Sequence, residues 1–291
     1  MYSAPPLKAL ALKALTKQHS SHASLTRARG YELLHDSEKE HLEAFYSSLC
    51  TRQVLTAASS TTYSHQNFLC LIKYNDPFNV ERYLMMCKRH VDEGLLKACE
   101  EGHRAVVFLL LEAGANKEAT YEDGKTPLHY ACQEGHEDIV SLLLDAGADK
   151  DVTDRWGRTP LHKACVKGQQ GIVSLLMEAG ADKEITDRLG ATPLHEACYG
   201  GHENIIYLLL KAGANKEATD NYEWSPLHLA CFWGHQGIVS LLLEAGANKE
   251  ATNADGWTPL HWACNRGHEG IVSLLLEAGD DKETIDNDGR L

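Results

Sequence analysis

The sequence predicts an all-α solenoid: repeated helix–turn–helix–hairpin units behind a short N-terminal extension, partly helical and partly disordered. Two observations predict it. The stretch Thr126-Pro127-Leu128-His129-Tyr130-Ala131-Cys132 returns with its head at Thr159, Thr192, Ser225 and Thr258, 33 residues apart each time. A fixed period of this length marks units that cannot bury an apolar face alone and stack on their neighbours. Within each period, helix start and stop signals bracket two short apolar runs.

Taken in order, each element of the unit has a local cause. Thr126 is suited to cap a helix, and Pro127 falls at the first helical position, where a missing N–H costs nothing. Leu128, Ala131 and Cys132 follow at i, i+3 and i+4, which gives one buried face. Gly135 stops this helix, since glycine reaches the left-handed conformation most cheaply. The run Ile139-Val140-Ser141-Leu142-Leu143-Leu144 makes a second helix closed by Ala146-Gly147, and Leu175 is read as a buried site of its counterpart one unit on. Asp149 to Gly157 then reads as an extended polar turn leading to the next Thr-Pro.

These copies resemble the ankyrin repeat, and the resemblance covers about two-thirds of the chain. Counting back one period from Thr126 reaches Glu93-Gly94-Leu95-Leu96-Lys97-Ala98-Cys99, which keeps the apolar face and loses the Thr-Pro start. Six units follow as 90–122, 123–155, 156–188, 189–221, 222–254 and 255–287. Departures are few: Glu223 replaces the hairpin glycine, Gln169 a histidine and Asp280 an alanine. A stub at 288–291 begins another hairpin, and Ile271, Val272, Leu274 and Leu275 stay apolar where a terminal cap would be polar. The expectation is that the natural chain continues or that a partner covers this end.

The first 89 residues are less patterned. Residues 1–63 form an extension whose opening carries Lys8, Lys13, Lys17, Arg27 and Arg29 with no acid before Glu32. That composition suits an organelle transit segment, but Lys8 falls between Leu12 and Leu15 on a helical wheel, so a basic tail is preferred. Ser37 and Glu40 make a capping-box pattern ahead of Leu42, Phe45, Tyr46 and Leu49, predicting one helix. Residues 64–89 read as a worn capping unit.

Composition narrows the function. A net charge of −13 over 291 residues argues against a nucleic-acid binder, which needs a basic face. No apolar run approaches the roughly 18 residues of a membrane span. Cys99, Cys132, Cys165, Cys198, Cys231 and Cys264 recur once per unit. His-x-x-Cys could suggest metal, yet such sites need three or four convergent ligands, and a small buried thiol packs as a hydrophobe. Thiols of this kind suit a reducing compartment, cytoplasm first and nucleus second. No phosphate loop, serine-nucleophile or zinc-protease motif occurs, so neither cofactor nor catalysis is expected. The Lys-Glu pairs at Lys117, Lys183, Lys216 and Lys249 read as solvated charge.

What repeats is scaffold, and what varies is free to serve a partner. The variable positions are the hairpin tips and the outer face of each first helix, including Tyr130 and Lys163; in the ankyrin family these places line the concave surface that binds other proteins. Early units are acidic there, with Glu100, Glu101, Glu122, Asp123 and Glu134. The middle units supply Arg155, Trp156, Arg158, Lys167, Arg188 and Tyr199, and the last supply Tyr222, Trp224, Phe232, Trp233, Trp257, Trp262 and Arg266. Aromatic and arginine side chains are the usual interface anchors. The reading is a non-catalytic scaffold or adaptor that binds a protein bearing acidic and apolar groups, without nucleic acid or membrane. It is expected to be monomeric unless the open C-terminal end associates. The alternatives are a substrate-holding region of a longer enzyme and a structural spacer.

Overall fold

A computed structural model of the chain describes residues 90–279. The expectations for 1–63, 64–89 and 288–291 fall outside the described residues. Among the described residues there are helices and turns and no strand. The chain divides after Ala119 into two compact units.

The described part of the first unit holds α1 (Val91–Glu101) and α2 (Arg104–Glu112). The counterpart of Pro127 here is Gly94, yet α1 already begins at Val91. With no proline to fix the first turn, the helix runs back until His90, which takes a left-handed φ of 62°. Leu95, Leu96, Ala98 and Cys99 are buried on α1, and Val106, Val107 and Leu110 on α2, which packs against it.

The second unit repeats one plan five times: α3 (Pro127–Glu134) with α4 (Glu137–Asp145), α5 (Pro160–Lys167) with α6 (Gln170–Glu178), α7 (Pro193–Gly200) with α8 (Glu203–Lys211), α9 (Pro226–Trp233) with α10 (Gln236–Glu244), and α11 (Pro259–Arg266) with α12 (Glu269–Glu277). First helices stack on first helices and second on second. Proline opens every first helix, behind a Thr or Ser in extended backbone. Glycine closes it, with Gly135 at φ 88° where a side chain would be strained.

The buried face is the predicted one. Leu128, Ala131 and Cys132 are sealed, as are their counterparts on α5, α7 and α9. Each leucine so buried contributes about 1.5–3 kcal/mol. On the second helices the leucine run had to be resolved by geometry: Ile139, Val140 and Leu143 are buried, while Leu142 and Leu144 are half-buried. Leu175 shares the register of Leu142 and is half-buried, so the core residue of α6 is Leu176. The cysteine column also breaks at its last member. Cys264 on α11 is exposed, because no further described first helix stacks over it.

Candidate functional site

The hairpins that follow α4, α6, α8 and α10 are built on one carboxylate or amide oxygen each. Asp154 Oδ1 accepts the N–H groups of Trp156 and Arg158, both at 2.9 Å. Asp187, Asp220 and Asn253 do the same for the N–H groups two and four residues on. Adjacent hairpins are then tied through backbone: Arg188 N–H donates to Trp156 O (2.9 Å), Asn221 to Leu189 (2.8 Å) and Ala254 to Tyr222 (3.2 Å). The tips therefore stand in register. The reading of this segment as a plain polar turn missed that ladder; the recurrence of Asp or Asn at 154, 187, 220 and 253 was its signal.

The Thr-Pro-Leu-His histidines join the hairpins to the helices. His129 Nδ1 accepts the Thr126 N–H at 3.1 Å, so it carries no proton, and Nε2–H donates to the Arg158 carbonyl of the next hairpin at 2.9 Å. His162, His195 and His228 bond forward in the same way to Ala191, Trp224 and Trp257. Burial holds the rings neutral, pushing His129, His162 and His228 down to about 4 and His195 in the same direction. Two of the histidines that follow the glycine closing each first helix bond backward, His202 to Val166 O and His268 to Phe232 O. Burial likewise pushes the Cys132, Cys165 and Cys198 thiols up, which makes them poor nucleophiles. Among the described residues no three His, Cys, Asp or Glu side chains converge as metal ligands.

On the face left free by this scaffold, the middle units carry a charged cluster. Lys163 is only 4% exposed, contrary to its reading as a surface residue, because its ammonium folds onto Asp154 Oδ2 at 2.6 Å. Tyr130, also read as surface, is buried with its hydroxyl donating to Asp123. Arg158 lies 3.9 Å from Asp154, and both cations face the Trp156 ring, at 5.3 and 5.6 Å. Burial alone would raise the Asp154 carboxyl; Lys163 and the Arg158 and Trp156 N–H groups outweigh it and hold it low. Burial pulls Lys163 below its usual value, and Asp154 only partly offsets this. Burial raises the Glu196 carboxyl too, against the pull of Arg158.

The last units carry an aromatic wall. Tyr199 meets Trp233 edge-on at 5.2 Å, Trp233 meets Phe232 at 5.0 Å, and Phe232 meets Trp224 and Trp262 at 5.3 and 5.0 Å. Trp262 lies 4.7 Å from Trp224 and 4.4 Å from Trp257. The Arg266 guanidinium covers Phe232 at 3.8 Å, a contact that contributes about 0.5–1 kcal/mol. Six rings thus form one continuous chain from α7 to α11. Trp224, Phe232, Trp257 and Trp262 are half-buried in it, while Tyr199 and Trp233 are exposed.

The remaining expected residues stay apart from both clusters. Arg155, Lys167 and Arg188 are exposed and make no ion pair with a described residue, and Tyr222 projects from its hairpin tip. Leu189, exposed at the equivalent tip, was missed; aligning the tips by period shows Trp156, Leu189 and Tyr222 in one column. The Lys-Glu pairs also need correction. Glu184 and Glu217 accept the Asn215 and Asn248 N–H groups of the following unit at 3.0 Å, so these acids staple units together.

Capped helix pairs, buried bridging histidines and registered hairpins define a repeat scaffold that presents a variable face. The family model "Ankyrin repeats (3 copies)" matches residues 95–187 and 179–253, and "Ankyrin repeat" matches 255–287. The chain belongs to the ankyrin-repeat family. No curated protein matches it. Ankyrin repeats are in general protein–protein interaction modules and are typically non-catalytic. No helix among the described residues is long and apolar enough to cross a membrane.

Proposed function

We propose that this protein is a non-catalytic scaffold or adaptor, monomeric on its own, that binds another protein along the groove of its first helices and hairpins. The observation that carries the reading is the six-ring aromatic wall from Tyr199 to Trp257. Other units place residues as different as Arg158, Ala191, Val166, Lys167 and Glu196 at the same positions, so the fold does not require the rings. Aromatic rings are the commonest hot-spot side chains, and two or three contributing about 1.5–3 kcal/mol each suffice for micromolar binding after association costs. Arg155, Arg158, Lys167, Arg188 and Arg266 meet acidic groups of the partner and tune its association rate and salt dependence.

The test begins with affinity purification on the intact chain. With a partner in hand, Trp224→Ala combined with Trp257→Ala abolishes binding while the helical circular dichroism is retained. Undiminished binding by that double variant, together with loss of binding on removing residues 1–63, moves the site to the N-terminal segment.

A further inference from the structure

The hairpin tips form a second edge beside the aromatic wall. Trp156, Leu189 and Tyr222 occupy the same place in three successive hairpins and are 41%, 56% and 59% exposed. Their carbonyls are committed to the next hairpin, so the side chains stand outward in a fixed row. Flanking them are Arg155 and Arg188, also in equivalent positions, and then Glu223; all three are exposed and make no ion pair with a described residue. Arg155 and Arg188 thus present unmatched positive charge on a chain whose net charge is −13.

Glu223 is the telling member. Its φ is 60°, in the left-handed region, where the equivalent residues Gly124, Gly157, Gly190 and Gly256 have φ of 75–81°. A side chain here strains the backbone, and nothing within the described scaffold uses its carboxylate. Strained residues that stabilise nothing at home are characteristic of binding sites.

We infer that the hairpin tips read the charge order of an extended acidic-to-basic segment of the partner protein. Its acidic residues face Arg155 and Arg188, its apolar side chains lie on Trp156, Leu189 and Tyr222, and a basic residue faces Glu223. The inference rests on the groove-binding function proposed above and adds the partner's chemistry to it. Spacing follows from helix packing. Helices of successive units pack about 8–10 Å apart, and an extended peptide advances about 3.3 Å per residue, so each unit spans about three peptide residues. The first acidic and the basic position are therefore about six residues apart.

The probe is a randomised dodecapeptide display library selected on the full chain, on Trp224→Ala with Trp257→Ala, and on three charge variants: Arg155→Glu with Arg188→Glu, Glu223→Lys, and Glu223→Gly. The unaltered chain enriches peptides with an acidic and a basic residue about six positions apart. The double arginine variant loses the acidic preference, and Glu223→Lys exchanges the basic preference for an acidic one. Measured on one enriched peptide, each reversed charge weakens binding up to about fivefold, as expected for exposed pairs. Glu223→Gly loses the basic preference while its urea midpoint rises, which separates a binding role from a structural one. Enriched peptides that need Trp224 and Trp257 but keep their charges on all three charge variants overturn the charge reading and leave the groove intact. A library in which nothing is enriched, or in which enrichment ignores the tryptophans, overturns the groove reading and this one with it.

Discussion

Residues 154–163 and 253–262 are the same piece of backbone three units apart, and they carry opposite chemistry. In both, one side-chain oxygen, of Asp154 or Asn253, fixes the hairpin through the N–H groups two and four residues on. The second atom of that side chain is where they part. Asp154 Oδ2 takes the ammonium of Lys163, with Arg158 beside it. Asn253 Nδ2 finds no acceptor, nor does the indole N–H of Trp262, which replaces Lys163, while Trp257 replaces Arg158. The turn needs one oxygen only. Everything facing away from it can become a buried ion pair or a stack of rings without disturbing the scaffold.

Acid should act on both regions alike, and it is the largest effect expected, because both hang on the same neutral histidines. The fold binds the neutral ring, and the unfolded chain takes up a proton near 6.5. Stability is therefore complete above about 6.5 and is lost as pH falls toward 4. His129, His162 and His228 each contribute on the order of 3 kcal/mol to that loss. Urea midpoints measured from pH 7.5 to 4 should fall steadily; a flat profile would mean that the folded rings titrate as they do in the unfolded chain.

Lys163→Ala breaks the comparison at one end. It strands a buried carboxylate and should cost about 3–5 kcal/mol by urea unfolding. Asp154→Asn with Lys163→Trp copies the aromatic end into the charged one and should recover most of that loss. If the double variant is as unstable as the single, the two regions are not interchangeable.

Leu176→Ala and Leu275→Ala compare the same buried position in the two halves. The first, stacked on both sides, should lower global stability by about 2–5 kcal/mol. The second should mainly expose the amides of α12 to hydrogen exchange. Equal global losses would show that stability does not fall toward Leu275. The smallest effect is Glu223→Gly, which should stabilise by about 1 kcal/mol through relief of its left-handed backbone.

The helices, their caps and the Leu-Ala-Cys face were legible because each rests on residues within one turn of one another. The second helices were legible only as helices. In a run such as Leu142-Leu143-Leu144 every position is apolar, so the choice between Leu175 and Leu176 waits for the packing of neighbours. Lys163 looked exposed because lysine usually is, and its partner comes from the preceding hairpin rather than its own helix. The tryptophans were picked out by position, but the contacts that join their units, Tyr199 with Trp233 and Trp262 with Trp224 and Phe232, depend on neighbours about a period away. The exposure of Cys264 follows from what stacks on α11, and nothing in its own unit differs from the other cysteines.

Each bridging histidine also makes this a molecule that can be lengthened or shortened by whole units. The bond from His162 reaches the carbonyl 29 residues ahead, and the ring asks only for a main-chain oxygen there. Excising residues 189–221 would hand His162 the carbonyl of Trp224, now held by His195, with the hairpin around it unchanged. A gene for such a chain can gain or lose a repeat by recombination and still encode a closed hydrogen-bond register. The binding face, by contrast, would be rewritten: such a deletion brings Trp224 next to the cations of the middle units and removes Tyr199 from the end of the ring chain.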